Sequence, residues 1–102
     1  MNHLTSYKLS ALAKKDLNAI FRYTIKNWGE NQAKEYAQKL SDGFFLLSRK
    51  PEIGKSRDDL YPHALSFPIG SHLVFYAINK CLDSNIEIAR ILHQKMDIKR
   101  QF

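Results

Sequence analysis

The side chains best equipped for chemistry gather at one end of the sequence. Between residues 90 and 100, Arg90, Lys95, Lys99 and Arg100 stand against the single carboxylate Asp97, with His93 and Met96 among them. Guanidinium and ammonium groups beside an imidazole suit the holding of phosphate or of an acidic protein surface. A solvated, frayed terminus has the same composition, and a lone His93 is more often structural than catalytic. The other reactive residue types form no recognisable constellation. The histidines at 3, 63, 72 and 93 are scattered, and neither HExxH nor CxxC occurs, so no metal is assigned. Each glycine, at 29, 43, 54 and 70, sits where a helix stop or turn would want one, and no phosphate-cradling loop or nucleotide cofactor is implied. No carboxylates pair by spacing, and Ser66 and Ser71 lack the context of a strand-turn-helix elbow. The chain reads as one that grips a macromolecule.

Composition bounds the rest. At 102 residues, with 44% hydrophobic and 12% aromatic side chains, residues 1–102 make one domain that buries roughly two-thirds of its unfolded surface. A net charge of +6 and a pI near 9.6 point to an anionic partner. Residues 1–50 hold nine basic and four acidic side chains and residues 51–102 hold seven and six, so the charge of the tail is local. Cys81 is the only cysteine, which leaves no intrachain disulfide and points to the reducing cytoplasm. No apolar run approaches the roughly 18 residues that span a membrane, and the N-terminal residues lack an export signal, so a soluble chain is predicted with no membrane partner.

The elements that must position the basic tail follow from periodicity. Residues 4–9 read as a strand. Ala13, Leu17, Ile20, Thr24 and Trp28 recur at steps of four and three, which predicts an amphipathic helix over 11–28 with Ser10 as N-cap and Gly29 as its stop. A second helix over 31–48 follows a two-residue link, and Pro51 ends it. Its run Phe44-Phe45-Leu46-Leu47 breaks the stripe, because at 100° per residue Phe45 falls on the flank and Leu46 nearly opposite Leu40. Residues 49–63 carry turn chemistry and form a loop long enough to be part of a binding surface. Strands over 64–67, 71–78 and 85–92 follow, joined by a turn at Pro68-Ile69-Gly70 and a hairpin loop over 79–84. The fold class is α+β: an N-terminal strand, a helical hairpin, then a three-stranded antiparallel meander packed on the helices. Strict alternation in the last strand puts Arg90 on the face of Ile86, Ile88 and Leu92. A buried unpaired arginine is very costly, so a bulge turns it outward, or it is paired, or it lines a concave site.

Read in order, several segments together resemble a ParE-type toxin of the ParE/RelE superfamily, the toxin half of bacterial toxin-antitoxin operons. They are Leu9-Ser10-Ala11 with Ala13, Asp16-Leu17 and Ile20; Tyr23-Thr24; Trp28-Gly29; Gln32-Ala33 with Tyr36; Pro51-Glu52-Ile53-Gly54-Lys55; Ser66 through Tyr76; and Arg90-Ile91-Leu92-His93 followed by Met96-Asp97. The resemblance runs nearly end to end, and the fold it implies coincides with the one just read.

It implies a cognate ParD-like antitoxin whose extended segment wraps the hairpin and sheet at Phe21, Trp28, Phe45 and Leu46, in a hetero-oligomeric complex. It also implies that the free toxin inhibits DNA gyrase and blocks replication by binding, with no catalytic residues. The gyrase-directed surface then involves Arg57, Arg90, His93, Lys95, Met96, Asp97 and Arg100. One departure weakens the case for an anionic target: related chains usually carry an arginine where this one has Leu65. The competing class is the RelE-type ribosome-dependent mRNA endoribonuclease, which uses basic residues with a tyrosine near the C-terminus. Here no tyrosine follows Tyr76, and Phe102 offers a stacking ring without a phenol. A bystander binding module without toxicity would follow from an Arg90 that is fully paired.

Overall fold

Ser10 starts the helical part of the chain as its residue type requires. Its hydroxyl accepts the N–H of Ala13 at 2.9 Å, satisfying one of the donors orphaned at a helix start. The structure, a computed structural model, describes residues 7–78 and 85–102. Strand β1 (Tyr7–Leu9) leads into helix α1 (Ala11–Trp28), then α2 (Glu30–Arg49), β2 (Lys55–Ser56), β3 (Leu65–Ile69), β4 (His72–Ile78) and β5 (Ile86–His93). Short 3-10 turns occupy Pro51–Ile53 and Ile98–Gln101. Of the expected first strand, residues 4–6 lie outside the described residues, as do the expected hairpin loop over 79–84 and Cys81.

The α+β expectation holds, with one strand more than the sequence predicted. The sheet runs β1-β5-β4-β3-β2, with β1 parallel to β5 and the other pairs antiparallel. The added strand lies inside the expected loop, where Lys55 pairs with Ser66 and Ser56 with Leu65. Two exposed polar residues carry no alternation, so sequence pattern cannot reveal them. The helical link is also shorter than predicted. Gly29 alone ends α1 and starts α2, at φ 91°, a backbone region that side-chain-bearing residues rarely adopt.

The turn between β3 and β4 sits later than Pro68-Ile69-Gly70. Ile69 pairs with His72 around Gly70 and Ser71, so Pro68 and Ile69 belong to the strand. Gly70 has φ 59°, as the first central position of a type II′ hairpin turn demands. Pro68 is tolerated because its pair with Leu73 is a non-hydrogen-bonded one and β2 stops two residues earlier, leaving its nitrogen toward an open edge.

Both faces of the sheet are covered, which explains why β4 is apolar on both sides. Against the helices, Leu40, Phe44 and Leu47 pack on Val74, Tyr76, Ile86, Ile88 and Ile91. Each such side chain contributes about 1.5–3 kcal/mol when fully buried. Tyr76 is also fully buried, and its hydroxyl donates to the Pro51 carbonyl at 2.7 Å. On the far face, Phe75 meets the Phe102 ring edge-on at 5.1 Å, and Tyr61 lies 5.5 Å from Phe102. Burial raises the phenol pKa of Tyr61, whose hydroxyl has no partner among the described residues.

A bulge overturns strict alternation in β5. Phe75 pairs with Arg90 while Tyr76 pairs with Ile88, leaving Ala89 without an opposite residue. The phase flips there: Ile91, opposite Val74, joins Ile86 and Ile88 in the helix-facing core, and Arg90 leaves from the side of Phe75. The expected sharing of one face by Arg90 and the core isoleucines is therefore corrected by the bulge, and the other two alternatives hold as well, since Arg90 is paired and lines a concave groove.

Candidate functional site

Among the described residues, the edge of β5 beyond the bulge has no neighbouring strand, because β1 pairs only with Ile86 to Ile88. Helix α1 satisfies that edge with side chains. The Ser10 hydroxyl donates to the Ala89 carbonyl at 2.7 Å, and Asp16 Oδ2 accepts the Ile91 N–H at 2.9 Å. The same carboxylate takes Arg90 in a bidentate grip, Nε at 2.8 Å and Nη2 at 3.0 Å, with the two side chains only 15% and 14% exposed. Nη1 donates to the Gln101 carbonyl at 3.2 Å, which ties the C-terminal turn to the strand. The hydrogen bonds that Arg90 donates to Asp16 raise its pKa, with burial opposing. Three of the five guanidinium N–H groups are thus engaged among the described residues, so Arg90 is paired without being saturated.

Arg90 lies on the wall of an open groove of about 1010 Å³ between the junction of the two helices and the ends of β4 and β5. Tyr23 and Trp28 stand on its helical rim, the indole 70% exposed. The apolar stripe of α1 continues to Trp28, but the sheet beneath it ends first. The opposite wall carries Tyr36, His72 and His93. The Tyr36 hydroxyl lies 2.6 Å from His72 Nδ1 and accepts the Ser71 N–H at 3.0 Å, and Gly70 leaves the room its ring needs, since a Cβ there would lie 2.7 Å from the ring. His72 and His93 face each other across β4 and β5 with ring centres 5.3 Å apart.

Burial, with His93 adding and Asp16 opposing, pulls the His72 imidazole from 6.5 to about 4. Between those values the unfolded chain binds more protons than the folded one. Stability from this group is therefore full above pH 6.5 and falls as pH drops through the window toward 4. Urea midpoints compared at pH 7 and pH 5 are expected to fall more for the wild type than for His72→Gln. Parallel falls would show that another group titrates.

The residues expected to face a target are spread over the groove and the far face of the sheet, with the C-terminal segment between them. Arg90, His93 and Met96 line the groove. Lys95, Asp97 and Arg100 lie exposed just beyond it, with Arg100 paired to Asp97 at 3.4 Å. Arg57 is on the far face, bound to Asp59 at 3.1 Å and lying over the Phe75 ring at 5.8 Å. Of the residues expected to face an antitoxin, Trp28 belongs to the groove. Phe21, Phe45 and Leu46 are exposed elsewhere on the hairpin, and Phe21 borders a smaller cleft of about 240 Å³ between α1, α2 and β1. Phe45 is 48% exposed, its ring edge-on to Tyr7 at 5.5 Å. Sequence reasoning missed Asp16, Tyr36 and His72 as parts of the site. Only the β4/β5 register and the packing of α1 on the β5 edge bring them to it.

Residues 7–98 match the family described as the ParE toxin of type II toxin-antitoxin system, parDE. The chain is 33% identical over 94 residues to Toxin ParE1 of Mycobacterium tuberculosis, spanning 92% of this chain and 94% of that protein. To Toxin ParE1 of Caulobacter vibrioides it is 34% identical over 93 residues, spanning 91% and 93%. To Toxin ParE of Escherichia coli it is 33% identical over 95 residues, spanning 93% and 90%. Among solved structures, a chain of the chromosomal ParDE TA system from P. aeruginosa shares the fold, with a TM-score of 0.72 at 20% identity, covering 90% of this chain and 98% of that one. With a family match across nearly the whole length and relatives about a third identical, the chain belongs to the ParE toxins of type II toxin-antitoxin systems.

Proposed function

We propose that this toxin acts by binding DNA gyrase and blocking replication, and that a ParD-like antitoxin neutralises it by covering the exposed apolar face of the hairpin. The observation that carries the non-enzymatic part is the state of Arg90. Its guanidinium is held by Asp16 and Gln101, an arrangement that shapes a docking surface rather than freeing a cation to follow a reacting phosphate. The segment after β5 supplies no phenol for proton handling, and its one carboxylate, Asp97, pairs with Arg100. Arg90 retains unengaged N–H groups, so the full pairing that would mark a bystander module is not reached among the described residues.

Support for the antitoxin comes from the hairpin itself. Phe45 and Leu46 are adjacent and both exposed, and Phe21 is exposed on the neighbouring helix, apolar area of the kind a protein partner covers. The matched family and the P. aeruginosa structure both belong to toxin-antitoxin systems, which fits a protein occupant for that face in a hetero-oligomeric complex. Both partners would act in the cytoplasm; among the described residues no helix is long and apolar enough to cross a membrane.

Production of the chain alone in bacteria is expected to stop division, with filamentation and DNA-damage signalling. If translation instead halts within minutes and messages are cut at codons on ribosomes, gyrase is not the target and the nuclease alternative stands.

A further inference from the structure

We propose that His72 and His93 form half of a tetrahedral Zn2+ site in the groove, its other two positions open to water or to a carboxylate. The site goes beyond the gyrase and antitoxin roles and does not depend on them.

Register brings the two imidazoles together. His72 already makes the hydrogen-bonded pair with Ile69 around the β3–β4 turn, so toward β5 its pair with His93 is a non-hydrogen-bonded one. The bond from Gln94 N–H to the Ser71 carbonyl at 3.0 Å, one residue further on, fits that alternation. In such pairs the side chains approach most closely.

The spacing selects a geometry. A Zn–N bond of about 2.0–2.1 Å, plus roughly 1.1 Å from nitrogen to ring centre, sets two tetrahedral imidazoles about 5.2 Å apart, centre to centre. The observed separation is 5.3 Å. Neighbouring ligands at the right angles of a tetragonal Cu2+ or Ni2+ site would need about 4.5 Å. The outer torsion of a histidine is broad, so the rings turn to aim their nitrogens at little cost.

The groove's charged lining is balanced, Asp16 and Glu35 against Lys39 and Arg90, and the ring nitrogens are available. Among the described residues, neither Nε2 has a hydrogen-bond partner, whereas both Nδ1 atoms do. With Zn2+ on Nε2, the His72 Nδ1–H donates to the Tyr36 hydroxyl, whose own proton turns to the Ile69 carbonyl 3.4 Å away. That is the outer-shell support metal-binding histidines ordinarily have. Glu35 and Asp16 line the same groove, and with Asp16 held by Arg90, Glu35 is the lining carboxylate without an ion pair among the described residues. Among the described residues no three His, Cys, Asp or Glu side chains cluster as a complete site, so the pair is an open half-site.

His93 carries a diagnostic consequence. Its Nδ1 accepts the Lys95 N–H at 3.1 Å. Zinc on either ring nitrogen ends that bond, by protonating Nδ1 or by occupying it.

The test is titration of the metal-free full chain with ZnCl2 at pH 7, by calorimetry and by 15N-resolved NMR. The chain carries His3→Ala and Cys81→Ser, so that ligands outside the described residues do not contribute. One equivalent is expected to bind, with the Lys95 amide among the largest shifts. His72→Gln and His93→Gln are each expected to weaken binding at least tenfold, while His63→Asn leaves it unchanged. Gln preserves size and hydrogen bonding at both positions, and unchanged amide spectra elsewhere verify that each variant is folded. Absence of saturable binding, affinity indifferent to both Gln variants, or an unmoved Lys95 amide would each overturn the site.

Discussion

Replacing Asp16 by alanine is expected to lower the unfolding free energy by about 3 kcal/mol, the order seen when one partner of a largely buried ion pair is removed. The size follows from what one carboxylate does. It neutralises Arg90 through two hydrogen bonds, and it accepts the Ile91 N–H at an edge where no strand pairs among the described residues. Alanine strands a largely buried guanidinium and a buried backbone donor, and an unsatisfied donor alone costs about 1–3 kcal/mol. Domains of this size have total stabilities of about 5–15 kcal/mol, so the loss is a large share of the whole. A fall in Tm on the order of 15 °C is the corresponding calorimetric reading.

Asp16→Asn separates the two duties. The amide oxygen still accepts the Ile91 N–H but carries no charge, so an intermediate loss is expected. A double-mutant cycle with Arg90→Ala isolates the pair itself. If Asp16→Ala unfolds within about 0.5 kcal/mol of the wild type, the latch between α1 and β5 contributes nothing beyond an ordinary surface contact. Loss of the latch also loosens the groove wall, because Asp16 and Arg90 both line it.

Changing Phe45 and Leu46 together to glutamate is expected to weaken antitoxin binding at least a hundredfold, equivalent to about 2.8 kcal/mol. A hot-spot side chain at the centre of an interface carries about 2 kcal/mol or more. Two carboxylates in the same patch add the desolvation of charge to the lost contact. The free protein should tolerate the change, because both side chains are exposed and the edge-on contact of Phe45 with Tyr7 is the main packing forfeited. Calorimetry with the cognate antitoxin measures the effect, and Lys95→Ala, exposed near the groove, serves as the comparison. Unchanged affinity in the double variant would remove this face of the hairpin from the interface.

Helical periodicity was the most legible signal in the chain. The α1 range, its Ser10 cap and its Gly29 stop follow from apolar spacing and residue type, because an amphipathic helix of this length repeats its pattern several times. Short elements were illegible for the same reason. A two-residue strand of Lys55 and Ser56 has no period, and the true turn at Gly70-Ser71 was masked by Pro68, normally a turn residue, which here occupies an open edge. The exposure of Phe45 and Leu46 was read correctly because their departure from the helical stripe is local arithmetic.

What the sequence determined by itself is the α+β class, the helical hairpin, the basic C-terminal segment and the family resemblance, all of which rest on residue type and short-range spacing. What only the tertiary structure decided is which of those residues meet. The Ala89 bulge sends Arg90 to a carboxylate 74 positions away, and the β4/β5 register sets two histidines, apparently scattered along the chain, ring to ring in one groove. Register and edge satisfaction are settled by long-range hydrogen bonding and by the burial of whole faces. A one-residue slip inverts every side chain beyond it, and no local pattern records where such a slip falls.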